Sequence, residues 1–438
     1  MRSPGRLLGR LTLVPLLLAC GTARLVAAAD IWVSPNGVSC IVASCSCEKG
    51  TPCIISRVLL GQLAPGSRLK LLPGEYPGLL IENVHGLPEQ KVVIQGVGKM
   101  ADGTPAARVR GDLATARDAV ELSRSSNIAL ENLHISHAAR AGIRLNNSHH
   151  IEVRHSHLEA NGVWGIFTNH ANYFTAEANT IIGPAKQHGI YQSNSGDHVR
   201  IAGNYIVGFD GAAVHLNGDL IMGGAPSVAA DGVISEVEIR DNFFAGNGSG
   251  GGSAINLDGA ESVVIEDNIL VGNKAAGIAV FKDDGAIGSR NIYAQRNLLV
   301  MAPESRWAVI FNNAGSGSRF SNNVIIAQDK RRGVYLVNNS ARVMHSDAEI
   351  GVLPFTSDRN YFYSGGNFAL LNDSERLEFR SWQRRGQDNA SALLELSMPL
   401  ESDPDFRLRL PDAVTEALKE LGIAKKNPYR HLLGVEPE

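Results

Sequence analysis

The chain has few aromatic residues, little charge of either sign and no surplus of positive charge. Aromatic side chains make up 6% and charged side chains 19% of its 438 residues, and the formal net charge is −3. Residues 1–29 hold four arginines and no acids, so removing them brings the charge to −7 (−3 − 4). A protein of this charge does not attract polyanions as a whole, which excludes nucleic acid as an expected partner.

The one marked apolar run, residues 11–19, is too short to span a bilayer. It follows three arginines and precedes the alanine triplet at 27–29, which is the pattern of an export signal over residues 1–29. A second cut is open, because residues 17–20 (LLAC) resemble a bacterial lipoprotein box and would leave a lipid anchor on Cys20. We expect an exported protein that is periplasmic, secreted or an outer-membrane lipoprotein.

Cysteine is scarce, with five residues in the chain. Apart from Cys20 they lie in one short stretch, at Cys40, Cys45, Cys47 and Cys53. In an exported protein, an even cluster of this kind predicts two disulfides. Three pairings are open, with Cys45–Cys47 the least favourable sterically, and a four-thiolate metal site is the alternative.

Asparagine recurs at one position of a repeated pattern. Val199-x-Ile201-x-x-Asn204-x-Ile206 is followed by copies centred on Asn242, Asn268 and Asn297, and looser copies centre on Asn179, Asn323 and Asn360, with Ser156 in the same position earlier. Successive positions are 23 to 38 residues apart, and repeats of about 20 to 50 residues indicate a solenoid or an array. The apolar residues alternate, so each unit is a short strand rather than a helix.

A second strand precedes each asparagine motif and supplies an inner aliphatic column. The column is expected to contain Ile143, Ile166, Ile190, Val214, Ile255, Ile278, Val309 and Val334. Buried asparagines must be hydrogen-bonded, and stacked amides can pair with each other. The pattern predicts an all-β, right-handed parallel β-helix of about ten coils. We expect an N-terminal cap at 30–110, the helix at 111–365 and a C-terminal cap at 366–438.

Two motifs near the start carry a family resemblance. The segment Val33-Ser34-Pro35-Asn36-Gly37, a short helix after it and the segment 71–76 (LLPGEY) resemble right-handed β-helix proteins of the pectate-lyase-like superfamily, including polysaccharide-processing and copper-accessory relatives. The resemblance implies the fold over nearly the whole mature chain. It does not select a function, because that superfamily contains lyases, hydrolases, epimerases and non-catalytic proteins.

Outward side chains of the second strand form the candidate site. Tyr191 and His215 are expected side by side, since neighbouring strands lie about 4.8 Å apart. They are candidates for an acid/base pair, with His188 and Arg144 as further candidate catalytic groups. The candidate substrate-binding residues around them are Asn169, Asn217 and Lys186. Such groups suit β-elimination on a uronic-acid glycan, which needs a base, an acid and donors for the carboxylate.

A second group, Lys282-Asp283-Asp284 with Arg306, is also a candidate for substrate binding. Some lyases of the superfamily use a Lys or Arg base and a calcium ion held by Asp, so the resemblance implies calcium as one option. Hydrolysis is the main enzymatic rival and needs two carboxylates about 5 to 9.5 Å apart. The outward acids Glu121 and Asp258 are too far apart for this, which leaves loop acids such as Asp210, Asp219 or Asp283.

These observations favour a monomeric, exported, polysaccharide-active protein. The most concrete expectation is a lyase that acts on an acidic glycan. The alternative is a non-catalytic β-helix protein that binds glycans or serves as a scaffold in the cell envelope.

Overall fold

The computed structural model describes residues 30–39, 46–114, 118–219, 231–339, 352–397 and 399–434. The expected export signal and Cys20 lie outside these ranges. Within them, the chain forms 36 short strands, three short α-helices and one 3₁₀ turn. No helix in the described ranges is long and apolar enough to cross a membrane.

The strands, numbered in chain order, have the following bounds. The first twelve are β1 (Asp30–Val38), β2 (Arg68–Leu71), β3 (Gly74–Pro77), β4 (Leu79–Glu82), β5 (Val92–Gly96), β6 (Ala107–Arg110), β7 (Val120–Ser123), β8 (Ser126–Glu131), β9 (His134–Ser136), β10 (Ala141–Asn146), β11 (His149–Arg154) and β12 (His157–Glu159). The next twelve are β13 (Trp164–Asn169), β14 (Phe174–Glu177), β15 (Thr180–Ile182), β16 (Ile190–Asn194), β17 (Val199–Ala202), β18 (Tyr205–Val207), β19 (Val214–Gly218), β20 (Ile234–Arg240), β21 (Phe243–Ala245), β22 (Ile255–Asp258), β23 (Ala260–Glu266) and β24 (Ile269–Val271).

The remaining strands are β25 (Ile278–Phe281), β26 (Arg290–Gln295), β27 (Leu298–Val300), β28 (Val309–Asn312), β29 (Ser318–Ser321), β30 (Val324–Ala327), β31 (Tyr335–Asn338), β32 (Phe355–Asp358), β33 (Tyr361–Ser364), β34 (Ala369–Leu371), β35 (Glu375–Leu377) and β36 (Ala392–Leu393). The helices are α1 (Arg57–Leu60), α2 (Phe379–Gln383) and α3 (Asp412–Leu421), and the 3₁₀ turn covers Arg430–Leu433.

Three twelve-stranded sheets run the length of the molecule. Sheet A contains β1, β2, β5 and then every third strand to β32. Sheet B contains β4, β7 and then every third strand to β34, with β35 paired to β34 at its end. Sheet C contains β3, β6 and then every third strand to β36. The sheet pairings are parallel except β34 with β35. Because each sheet takes one strand from every turn of the chain, the polypeptide winds as a parallel β-helix, as the repeat predicts.

The inner face of sheet B forms the predicted aliphatic column. Register places Ile143, Ile166, Ile190, Val214, Ile255, Ile278 and Val309 in successive strands, each at most 1% exposed. The prediction is wrong by one residue at the next strand, where Tyr335 rather than Val334 pairs with Val309. Tyr335 is fully buried beside Trp382, and its hydroxyl bonds to Ser357 Oγ at 2.8 Å.

The asparagine ladder is the other internal column, and the structure confirms it. Each side-chain amide donates to the Oδ1 of the next asparagine at 2.9 to 3.1 Å, from Asn179 through Asn204, Asn242, Asn268, Asn297 and Asn323 to Asn360. The ladder ends on Asp388, which accepts from Asn360 at 2.9 Å and from Trp382 Nε1 at 2.8 Å. All seven amides are at most 1% exposed, so this pairing satisfies polar groups that would otherwise be buried without partners.

The C-terminal segment lies against the outside of sheet C. There Phe243, Ile269, Leu298 and Val324 form an apolar cluster with Val414 and other residues of the C-terminal segment, including α3. Asn427 Nδ2 reaches the backbone carbonyl of Asp267 at 2.9 Å, which anchors the segment. Sheet C is therefore apolar on both faces along these strands.

The cysteine prediction is confirmed in part. Cys47 and Cys53 form a disulfide next to β1, and both are buried. The four-thiolate alternative is wrong, because two of its four ligands are oxidised to this bond. Cys40 and Cys45 lie outside the described residues, and so does the second predicted disulfide.

Candidate functional site

The outer face of sheet B carries the predicted row of side chains. Register aligns Arg144, Phe167, Tyr191 and His215 on successive strands β10, β13, β16 and β19. Asn169 and Asn217 occupy the next outward positions on β13 and β19, in register with Ser193 between them. The coil thus brings residues that are far apart in sequence into one row.

Tyr191, His215 and His188 form a compact cluster. The Tyr191 and His215 rings stack with centroids 5.0 Å apart, and His215 Nδ1 lies 3.1 Å from His188 Nε2. His188 comes from the bend before β16, and its Nδ1 accepts the backbone N–H of Ala212 at 2.9 Å. His188 is therefore held by the backbone of the next coil.

These contacts fix the tautomers of both neutral imidazoles. His188 Nδ1 accepts the hydrogen bond from Ala212 and therefore carries no hydrogen. The hydrogen of the neutral ring is on Nε2, which donates to His215 Nδ1. His215 must then carry its own hydrogen on Nε2, and that nitrogen is buried without a hydrogen-bond partner among the described residues. His215 therefore has one buried N–H donor without a partner among the described residues, in the ring that stacks on Tyr191.

Burial keeps both histidines uncharged at neutral pH. It lowers the pKa of His188 to about 4. Burial and the neighbouring His188 also hold the pKa of His215 well below its ordinary value. The tautomer assignment for neutral rings consequently applies over the physiological range.

Acid should destabilise the fold through His188. Between pH 6.5 and about 4 the unfolded chain binds a proton at this position that the folded chain does not, so the free energy of unfolding falls as pH drops through this window. At pH 5 the expected contribution is about 2 kcal/mol. His188→Gln should shrink the difference in urea midpoint between pH 7 and pH 5, whereas the exposed His431→Gln should leave it unchanged. An unchanged difference in the His188 variant would contradict this assignment.

Three carboxylates lie close enough to the Tyr191 hydroxyl to affect its pKa. Asn217 Nδ2 donates to Tyr191 Oη at 3.2 Å, which leaves the phenol proton for another acceptor. Burial raises the pKa of Tyr191 to about 12, and the charges of Asp284, Asp219 and Asp258 add to the rise. The pKa of Asp284 is itself raised, first by burial and then by Asp283 and Asp219. Asp284 is thus a stronger base than an ordinary surface carboxylate.

The Asp258 side chain holds the loop that follows β25. Its carboxylate accepts the backbone N–H groups of Asp283, Asp284 and Gly285 at 2.9, 2.8 and 3.1 Å. Burial nevertheless raises its pKa to about 6. Asp258 therefore places Asp284 beside Asn217 and Tyr191.

Two of the predicted site residues, the candidate catalytic Arg144 and the candidate substrate-binding Asn169, have other partners. Arg144 Nη1 lies 3.6 Å from the buried Asp118 Oδ2, and its guanidinium sits over the Phe167 ring at 5.7 Å. Asn169 Nδ2 donates to Asn146 Oδ1 at 2.7 Å, and its own Oδ1 contacts His170 Nδ1 at 2.8 Å. Both residues lie on the predicted face, but their contacts are with the protein.

The three remaining candidates are spread around the edge of the face. Lys186 is exposed in the bend between β15 and β16. Lys282 follows β25, and its Nζ donates to the Ala286 carbonyl at 3.1 Å. Arg306 is exposed before β28, where its guanidinium borders Gly251.

Trp164 is a member of this face that the sequence patterns did not reveal. Its ring lies 4.6 Å from Phe167 and 6.1 Å from Tyr191, and Nε1 is buried without a hydrogen-bond partner among the described residues. Trp164 occupies an inward position of the strict alternation, but it is partly exposed at the start of β13. The one feature of the sequence that could have indicated Trp164 is its position directly before a glycine in a predicted strand.

The acids near Tyr191 do not form a ready calcium cage. Calcium takes six to eight oxygen ligands, at about 2.3 to 2.6 Å. Asp258 is committed to three backbone amides, and the described residues bring three or more His, Cys, Asp or Glu ligand atoms together elsewhere, on sheet C. We therefore derive no step through calcium.

The three sheets and the polar row define a right-handed parallel β-helix protein with a candidate site on sheet B. Residues 102–206 and 223–380 match the family described as the right handed beta helix region. These stretches cover more than half of the chain, which therefore belongs to that family. No curated protein matches the sequence.

Solved structures share the fold at low sequence identity. A lacto-N-biosidase of family GH136 from Eubacterium ramulus is 13% identical with a TM-score of 0.51, over 84% of this chain and 67% of the other. Pectate lyase Pel9A is 16% identical with a TM-score of 0.47, over 73% and 78%. PfbA, a surface adhesin of Streptococcus pneumoniae, is 12% identical with a TM-score of 0.48, over 78% and 91%. At these identities the similarity concerns the fold alone.

Proposed function

We propose that this is an exported polysaccharide-active protein, and that it cleaves a uronic-acid glycan by β-elimination at Tyr191 and His215. The observation that carries the proposal is the stacked Tyr191–His215 pair with two unused proton donors, His215 Nε2–H and the Tyr191 hydroxyl. The Cys47–Cys53 disulfide supports export, because such bonds persist in oxidising compartments.

The reaction needs three functions, and the cluster offers a group for each. His215 Nε2–H is buried in the structure, so it would donate to the substrate carboxylate after a side-chain shift exposes it, as negative charge develops there. Tyr191 would protonate the leaving glycosidic oxygen, since its raised pKa keeps the phenol protonated at neutral pH. Asp284, whose basicity burial increases, would remove the proton next to the carboxylate. His188 would act through His215 by holding its tautomer.

Hydrolysis is the second candidate, and the three acids beside Tyr191 favour it. Asp219, Asp258 and Asp284 all lie close enough to raise the pKa of the phenol. A carboxyl group with a raised pKa suits a general acid, and a second carboxylate would serve as nucleophile or base. The same negative charges oppose binding of an acidic substrate, whereas a neutral glycan would not meet this repulsion.

One assay separates the candidates. The purified mature protein is incubated with alginate, pectate, glycosaminoglycans and neutral glycans, and products are followed by ultraviolet absorbance and mass. β-Elimination yields an unsaturated sugar that absorbs in the ultraviolet, and its mass lacks the water that hydrolysis adds. Saturated products would overturn β-elimination in favour of hydrolysis. Binding without any product would overturn both enzymatic proposals and support a glycan-binding module.

A further inference from the structure

Three metal-binding side chains converge on the outer face of sheet C, away from the Tyr191 cluster. His134 begins β9 and His157 begins β12, and the two residues pair in register. Glu159 lies two residues beyond His157 and therefore points to the same face of the strand. The apolar surface that packs against the C-terminal segment belongs to later strands, from β15 onward. This part of sheet C is polar instead.

The three side chains bring their potential ligand atoms close together. His134 Nε2 lies 2.9 Å from Glu159 Oε1, and His157 Nε2 lies 3.3 Å from Glu159 Oε2. All three ligand atoms fall within 4.8 Å of one another. Ligands held about 2.1 Å from a tetrahedral ion are about 3.4 Å apart. An ion can therefore be placed between them with small side-chain adjustments.

The histidines offer imidazole nitrogens for ligation. His134 is 5% exposed, and its Nδ1 has no hydrogen-bond partner among the described residues. In the structure Glu159 accepts a hydrogen bond from His134 Nε2–H. A bound ion would replace this hydrogen, and Nδ1 can carry the hydrogen of the ring instead, so His134 can be a neutral ligand.

The surroundings leave room for a fourth ligand. His157 lines an open cavity of about 360 Å³, together with Lys99, Asp102, Thr104 and the exposed His155. Arg108 opposes cation binding, because its positive charge is on the neighbouring strand β6 in register with His134. The carboxylate of Glu159 compensates for that charge.

We propose that His134, His157 and Glu159 bind one divalent transition-metal ion, with an open coordination position facing this cavity. Two imidazoles and one carboxylate suit zinc or copper(II), and three protein ligands with one open position are typical of reactive rather than structural zinc sites. The site lies on a different sheet from Tyr191, so a test of metal binding does not depend on the proposed glycan chemistry.

Calorimetry on the untagged, chelator-stripped mature protein tests the proposal. Zinc and copper(II) are titrated separately, and we expect one ion per chain for at least one of them. His157→Asn and Glu159→Gln should each weaken binding by more than the about 10- to 100-fold that loss of an outer-shell partner costs. His155→Asn changes a histidine of the same cavity outside the trio, so it should bind like the parent.

Cobalt(II) gives a second readout that does not depend on affinity alone. The parent should show the visible absorption bands of a four-coordinate ion, and the His157 and Glu159 variants should lose them while circular dichroism confirms their fold. The proposal is overturned if the parent binds neither zinc nor copper(II). It is equally overturned if folded His157 and Glu159 variants bind as the parent does, in which case Glu159 is only a hydrogen-bond acceptor for two histidines.

Discussion

His215→Ala is expected to lower kcat/KM for glycan cleavage by about 10²- to 10⁴-fold, the usual contribution of a positioned proton donor. The substitution removes the unused Nε2–H donor and also the ring that stacks on Tyr191. Tyr191→Phe keeps the stacked ring and removes only the hydroxyl, so it should lose activity to a similar degree. Steady-state kinetics on the substrate identified by the product assay measure both effects.

Matched controls exist on sheet A and in the bend before it. Tyr293 is 43% exposed on β26, and His198 lies before β17 with its Nδ1 2.6 Å from Glu236 Oε2. Tyr293→Phe and His198→Ala should retain parental kcat/KM. His188→Gln should reduce kcat less than His215→Ala, because it removes the group that orients the donor but not the donor itself. Full activity in folded Tyr191→Phe and His215→Ala variants would move the reaction centre elsewhere.

Asn268→Ala should cost about 3 to 5 kcal/mol of folding free energy, because each buried polar group left without a partner costs about 1 to 3 kcal/mol. Asn268 Nδ2 donates to the Ile239 carbonyl at 2.8 Å and to Asn297 Oδ1 at 3.0 Å. Its Oδ1 accepts both the backbone and side-chain N–H of Asn242 at 3.1 and 2.9 Å. Removing one amide therefore leaves several groups unpaired on both neighbouring coils.

Denaturant unfolding measures this loss. Asn389→Ala is the matched control, since Asn389 is exposed in the loop before β36 and should change stability little. Equal stability of the Asn268 and Asn389 variants would show that the ladder is not a source of stability. Asn268→Asp should not restore the free energy of unfolding, because it replaces the amide donor by a buried charge.

The repeat made the scaffold predictable from the sequence. Alternation and the asparagine interval identify both the inner column and the ladder, because each coil must bury the same kind of side chain at the same position. The error at Tyr335 arises where the pattern Gly333-Val334 imitates earlier copies but the strand starts one residue later. Tyr335 packs there among Phe355, Phe368 and Trp382, a local aromatic core that periodicity does not encode.

The site was only partly predictable, because hydrogen-bond partners come from bends rather than strands. The pairing of Tyr191 with His215 follows from register alone. The engagement of Arg144 with Asp118, and the placement of Asp284 by Asp258, depend on the course of irregular segments. Their lengths vary from coil to coil, so no interval in the sequence reports them.

The asparagine ladder also allows the bends between strands to vary in length during evolution. The step from Asn204 to Asn242 is 38 residues, and the next step to Asn268 is 26. The hydrogen bonds between the side-chain amides across these two steps are nevertheless 3.0 and 2.9 Å long. The longer step is thus accommodated with no change in the hydrogen-bond length between neighbouring asparagines. Evolution can exchange one bend for another, and so alter the surface around Tyr191, while the internal asparagine ladder is retained.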